Sequence, residues 1–266
     1  MRPMFFGSSA SPLFGIFEAP ADKLAKGHGV VLCPPVAQEH LRSHSLMRQV
    51  SAALVRSGYH TLRFDWFGVG DSAGSYEQAT LTRWNEDVAQ ASTELRDLSG
   101  ARKVSLFGAR LGATIALRAA RQVKASQVIA LDAVLDGVAH LQSQRAIHTA
   151  ALASSKRYWQ PSPTERRADG ELVGFRVSNE FLAELRNIRP DDPLDLANIR
   201  VTLLESSSRQ EARDYLDTLT HAGVSNSLGE VALTSSWDLA SAVEVRVLSA
   251  NLPASVVSSL SPLGAL

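Results

Sequence analysis

A chain of 266 residues carries 27 lysines and arginines against 27 aspartates and glutamates, a net charge of zero with histidine neutral. That balance argues against nucleic acid as a partner or an anionic membrane surface, and the length suits one α/β domain with a substantial core. A single cysteine, Cys33, excludes an intramolecular disulfide and fits a reducing compartment, so a cytoplasmic location is expected. The opening Met1-Arg2-Pro3-Met4-Phe5-Phe6 lacks the long apolar core of a signal peptide. No apolar run reaches the roughly 18 residues of a membrane span.

In chain order, Gly29-Val30-Val31-Leu32-Cys33 is a short apolar run stopped by Pro34 and Pro35, which predicts a strand ending in a loop. Leu46, Val50, Ala53 and Leu54 recur at helical spacing, predicting a helix over 44–57 that Gly58 ends. Residues 59–65 read as the next strand, and 81–98 as an amphipathic helix on Leu81, Trp84, Val88, Ala91 and Leu95. Strands follow at 103–107 and 127–132, with a helix over 113–120 between them. Strands alternating with such helices give a mostly parallel sheet flanked by helices, an α/β fold. Ligands of such sheets lie beyond the carboxyl ends of the strands, where Cys33, Asp65, Arg110 and Asp132 fall. Residues 138–198 break the rhythm with Pro161, Pro163, Pro190 and Pro193 and read as a cap insertion between core segments 1–137 and 199–266. The last strands are expected at 200–205 and 229–234, with a helix over 209–221 between them.

The segment Lys103-Val104-Ser105-Leu106-Phe107-Gly108-Ala109-Arg110-Leu111-Gly112 has the layout of a nucleophile elbow: strand, glycine-flanked turn, small-residue helix. Its centre is Arg110, and a guanidinium is always protonated and cannot attack a carbonyl. With the loops Leu32-Cys33-Pro34-Pro35 and Phe64-Asp65-Trp66-Phe67-Gly68-Val69-Gly70-Asp71-Ser72-Ala73-Gly74, the chain resembles the α/β-hydrolase superfamily. Within it, the arginine elbow is similar to that of a bacterial subgroup of hydrolases associated with the exosortase A system. The resemblance covers roughly 28–138 and implies a hydrolase-like fold with an unusual site.

The triad that the superfamily implies is not completed. Its acid belongs after the strand at 200–205, where Glu205 is the carboxylate nearest the turn. Its histidine belongs around 234–242, and the last histidine of the chain is His221. Gly70-Asp71-Ser72-Ala73-Gly74 also fits the nucleophile pattern, but no apolar helix follows, so Ser72 reads as part of a structural turn.

Arg110 then has two readings. It grips a substrate carboxylate or developing anion, with the backbone N–H of Leu111 in an oxyanion hole. Alternatively it is locked to Glu39, Asp65 or Asp132 and plugs the pocket. Cys33 needs a base to act as a nucleophile and otherwise is a small buried residue. Glu39 and His40 form a carboxylate–imidazole pair suited to acid–base work, or a solvated helix start. Asp132 pairs with Arg110 or caps a turn. Pro34, Asp65, His148 and Trp237 are candidate substrate contacts. No cluster has metal-ligand spacing and no phosphate loop follows a strand, so no metal and no cofactor are expected. The leading expectation is a non-triad, biosynthetic enzyme acting on a small acyl, ester, thioester-like or carboxylate-bearing substrate. Acyl transfer, cyclisation, lyase and isomerase chemistry stay open. The rival is a catalytically inactive binding or scaffolding protein, and a homodimer is compatible with either.

Overall fold

The computed structural model describes residues 1–153, 170–192, 194–237 and 245–260. The chain opens on an antiparallel hairpin, β1 (Arg2–Phe6) and β2 (Leu13–Glu18), followed by β3 (His28–Cys33), α1 (Ala37–Arg56) and β4 (His60–Phe64). Next come α2 (Leu81–Ser99), β5 (Lys103–Ala109), α3 (Leu111–Ala119) and β6 (Gln127–Leu131). The segment after β6 holds α4 (Gly137–Ala153), the two-stranded β7 (Glu171–Leu172) and β8 (Phe175–Arg176), and α5 (Asn179–Arg186). β9 (Arg200–Glu205), α6 (Gln210–His221), β10 (Asn226–Glu230) and α7 (Leu252–Leu260) complete it.

Eight strands form one sheet in the order β1-β2-β4-β3-β5-β6-β9-β10, parallel from β4 onward and antiparallel where β2 meets β1 and β4. The central strands are buried on both faces, which is why they read as continuous apolar runs rather than alternating ones. Successive side chains still point to opposite faces. Val31, Leu106, Val128 and Val201 join the core with residues of α2 and α3. Val30, Phe107, Ile129 and Leu204 join the core with residues of α1 and α7.

Three elements depart from expectation. α1 begins at Ala37, well before residue 44, because its first inward-facing side chains are the polar Glu39, Arg42 and Ser43, which carry no apolar period. The last strand is 226–230 rather than 229–234: β10 is an edge strand with Ser227, Leu228 and Glu230 exposed, so it lacks a buried pattern. Val231 and Trp237 of the following loop enter the core instead. The β1–β2 hairpin lies at the sheet's edge and is not among the expected elements, although its strands carry the apolar runs Met4-Phe5-Phe6 and Leu13-Phe14-Gly15-Ile16-Phe17. Residues 154–169, part of the expected cap insertion, lie outside the described residues.

Candidate functional site

The elbow is built as its glycines demand. Arg110 stands between β5 and α3 with φ 54° and ψ −129°, a strained backbone for a side-chain-bearing residue. A Cβ on Gly108 would lie 2.5 Å from Ala113 Cα, and one on Gly112 would lie 2.1 Å from Pro34 O. β5 and α3 at Gly108, and α3 and the loop after β3 at Gly112, therefore approach too closely for anything but glycine. Thr114 Oγ1 ties the helix to the next loop by donating to Val134 O at 2.6 Å.

The Arg110 side chain turns inward. Its Nε donates to Glu39 Oε1 at 3.0 Å and its Nη1 to Asp132 O at 3.3 Å. The guanidinium carbon lies 5.7 Å from the centroid of the Trp237 ring. Arg110 is 9% exposed and Glu39 5%, so this ion pair is shielded from water. Of the three carboxylates expected to answer Arg110, Glu39 does so with its side chain and Asp132 with its backbone; Asp65 does not.

Asp132, at the end of β6 with φ 44°, is equally enclosed. Its Oδ1 accepts from Ser206 N at 2.8 Å and its Oδ2 from Trp237 Nε1 at 2.7 Å. The indole thus meets a buried carboxylate in the loop where a triad would hold its imidazole. An indole N–H donates only and takes no proton. Arg42, which sequence reasoning missed, fixes that loop: it donates to Trp237 O at 2.8 Å, Ser236 O at 2.8 Å and Val245 O at 3.0 Å. Glu205, the expected triad acid, is committed to Arg209 by two bonds of 2.6 and 2.9 Å. Burial raises its carboxyl and the Arg209 contacts pull it back.

Two spaces flank Arg110 and its partner Glu39. One, of only about 20 Å³, is closed by Tyr76, Leu111, Leu172, Phe181 and Leu185. The other is a cleft of about 180 Å³ lined by Arg110, Ala139, His140 and Arg209 among others. His140 borders both. Burial, with the Arg110 charge adding to it, lowers its imidazole to about 3, so it stands neutral beside the guanidinium. Its helix lacks apolar periodicity, and the sequence therefore gives no sign of it.

Other candidates fall elsewhere. Cys33 is fully buried and burial pushes its thiol up, so it offers no thiolate; it is a core residue. Glu39 and His40 do not form a pair, because consecutive helix residues point about 100° apart: Glu39 meets Arg110 while His40 Nε2 faces Asp65 Oδ1 at 3.8 Å. Pro34 and Asp65 line a separate cavity between α1 and strands β2 and β4 rather than the space over Arg110, and Pro34 O accepts from Trp66 Nε1. His148 is half-buried on α4 and borders neither space flanking Arg110. Leu111 is buried at the start of α3. Ser72 holds a turn together, donating to Asp65 O at 2.6 Å and accepting from Phe14 N at 2.9 Å.

Sequence comparison matches residues 29–230 to the family described as serine aminopeptidase, S33. A curated relative, the mitochondrial palmitoyl-protein thioesterase ABHD10 of Bos taurus, is 30% identical over 129 residues, covering 48% of this chain and 40% of that protein. Among solved structures, the ferulic acid complex of Est1E from Butyrivibrio proteoclasticus shares 17% identity and a TM-score of 0.63 over 96% of this chain and 97% of that one. Mouse α/β-hydrolase domain-containing protein 10 shares 18% identity and a TM-score of 0.54, over 86% and 88%. The structural likenesses speak for the fold, and the sheet order and elbow agree with it. The chain belongs to the serine aminopeptidase S33 family of the α/β-hydrolase superfamily.

Proposed function

We propose that this chain is a non-hydrolytic member of its family, which binds a small acyl- or carboxylate-bearing ligand in the cleft beside Arg110. The observation that carries this is the replacement at both ends of the triad: Arg110 where the nucleophile belongs, and the Trp237 indole on Asp132 where the base belongs. Neither group can take a proton from a hydroxyl or water at neutral pH. The Arg110–Glu39 pair supports the structural reading of the arginine, since most of its charge is already answered within the protein. The cleft beside Arg110 supports a ligand by its size and position, but Arg110 and Arg209 are paired with Glu39 and Glu205 and the wall also carries Asp136 and Glu211, so a ligand carboxylate there shares both guanidiniums with protein carboxylates. The arginine elbow resembles that of the exosortase-associated subgroup, a likeness that supports a biosynthetic setting.

An enzymatic reading rests on His140. Neutral at working pH, it can donate a hydrogen bond to a substrate anion beside Arg110, as lyase or isomerase chemistry requires, but held near 3 it is too weak a base to take the proton itself.

The test uses hexanoate and p-nitrophenyl butyrate. Hexanoate should bind saturably by calorimetry, and Ala139→Trp, which fills the cleft without touching a charge, should abolish it. The ester should turn over no faster than in buffer, and serine-directed phosphonates should leave the protein unlabelled. Stoichiometric labelling, or burst release of nitrophenol, would overturn the non-hydrolytic reading. Absence of carboxylate binding would leave only a plugged scaffold.

A further inference from the structure

At the amino ends of the strands, the end opposite the elbow, a cavity of about 850 Å³ opens beside Tyr59, just past α1, and Leu260, at the end of α7. His28 opens β3, Lys103 opens β5, Gln127 opens β6 and Arg200 opens β9, and these strands lie side by side. Register pairs His28 with Lys103 and Gln127 with Arg200. Each is an even number of residues from a side chain in the core under α1 and α7, namely Val30, Phe107, Ile129 or Leu204, so all of them point to that face. Lys26 and Arg102 line the same cavity from the turns before β3 and β5.

The wall is basic and unanswered. Lys26, Arg102, Lys103 and Arg200 border the cavity, and its described lining holds no carboxylate. None of these cations is in an ion pair among the described residues, whereas Arg63, Arg83, Arg118 and Arg209 are each paired with an acid. In a chain of zero net charge this is a local excess. Helices α1 and α2 already carry Arg56 and Arg96 in their last turns, so the strand-borne cations are not needed to answer those helix ends. Burial, with the charges of Lys103 and Lys26 adding to it, lowers the His28 imidazole to about 4, so it stands neutral among them. Like charges around a concave wall focus the field and concentrate anions there.

The layout selects the anion. In the order β3-β5-β6-β9 the cations are spread over about 14 Å of sheet. A compact ion meets one or two of them, and an elongated polyanion meets all. Arg102 and Arg200 offer forks that match phosphoryl oxygens, and Lys26 and Lys103 offer point charges. Tyr59 is buried, with Lys26 Nζ 4.6 Å from its ring centroid, and gives no open face for a stacked base. We propose that this cavity binds a linear oligophosphate free in solution, laid along the amino ends of the strands between Lys26 and Arg200. The site lies at the opposite end of the strands from the cleft beside Arg110 and stands or falls independently of it.

Calorimetry on the full chain at constant ionic strength, with tripolyphosphate, orthophosphate and citrate, tests it. Tripolyphosphate should bind saturably, and orthophosphate and citrate at least about tenfold more weakly. Lys103→Gln combined with Arg200→Gln should weaken tripolyphosphate by about tenfold or more. Arg2→Gln, on the edge strand β1, should leave it unchanged. The bound anion should raise the His28 pKa, followed by its nitrogen-15 resonances, because it offsets the charges of Lys103 and Lys26. Equal binding of citrate would reduce the wall to unselective charge and overturn the proposal. So would a lack of saturation, or a His28 titration unmoved at saturation. Binding to vesicles of phosphatidylcholine and phosphatidylglycerol without any tripolyphosphate binding would also overturn it, and would make the basic wall a membrane-facing surface. Should the double variant fail to fold, the anion series and His28 in the unmodified chain still decide.

Discussion

A guanidinium and a carboxylate removed together from water attract strongly but lose their hydration, and the balance leaves such a pair intolerant of losing one member. Arg110 and Glu39 are in that position. Arg110→Ala is expected to destabilise the chain by about 3–5 kcal/mol in denaturant unfolding, because it strands Glu39. The double variant Arg110→Met with Glu39→Met should recover most of that loss, since apolar replacement of both partners is often neutral. An Arg110→Ala variant as stable as the parent would show that the pair contributes little and that the arginine is free to serve a ligand. His140 gives a second check. Unfolded, it titrates near 6.5; folded, it is lowered to about 3. Between those values the unfolded chain binds the extra proton, so stability is full above about 6.5 and falls as the pH drops toward 3. His140→Phe should flatten that part of the stability profile. An unchanged slope would mean that the imidazole is solvated in the folded chain.

The element α5 is held both by its core residues Phe181, Leu182 and Leu185 and by a helix-end device. Glu184, on α5, accepts from Leu81 N at 2.5 Å and also from Thr82, answering the unpaired N–H groups that open α2. Phe181, beside it, packs on Trp84 at 5.4 Å between ring centroids. Glu184→Ala should cost about 0.5–2 kcal/mol, in the range of a lost helix cap. It should also raise amide exchange in α5 before the rest of the chain. Exchange unchanged in α5 would mean that Phe181 and its neighbours anchor the helix alone. None of this is readable from the sequence, because a carboxylate that caps a helix 103 residues away looks like any surface glutamate. The central strands and the elbow are readable, since burial on both faces writes an apolar run and the close approach of Pro34 O to Gly112 writes a glycine. The start of α1 is not: its buried face is Glu39, Arg42 and Ser43, and residues that serve the site interrupt the pattern that reveals a helix. The site candidates are legible as residues at strand ends, but not as neighbours. Glu39 and His40 adjoin in sequence and face different cavities.

A triad is a property of the whole chain, because its members come from elements far apart in sequence and meet only when the sheet is complete. Here Arg110 after β5, Asp132 after β6 and Trp237 after β10 meet at one point, with Asp132 rather than the expected Glu205 as the carboxylate that the loop after β10 meets. The scaffold that would orient a base therefore survives with different occupants. The carboxylate of Asp132 is held by Ser206 N, and the loop bearing Trp237 is pinned by Arg42. Arg110→Ser alone should yield no esterase, because an indole on Asp132 cannot receive the serine proton. Arg110→Ser combined with Trp237→His places an imidazole beside the same carboxylate, with its second nitrogen available to the new hydroxyl. The double variant should hydrolyse p-nitrophenyl butyrate above the rate of either single variant, and Asp132→Asn should lower that gain by spoiling the tautomer. The stranded Glu39 carboxylate would lie close to the new site, so Glu39→Gln is added as a third substitution if the double variant proves unstable. Activity in Arg110→Ser by itself would reveal a base other than Trp237's replacement, with His140 the first to remove. A well-folded double variant that never exceeds the single variants would show that retaining the positions is not enough, and that the loop holding Trp237 has moved away from reaction distance.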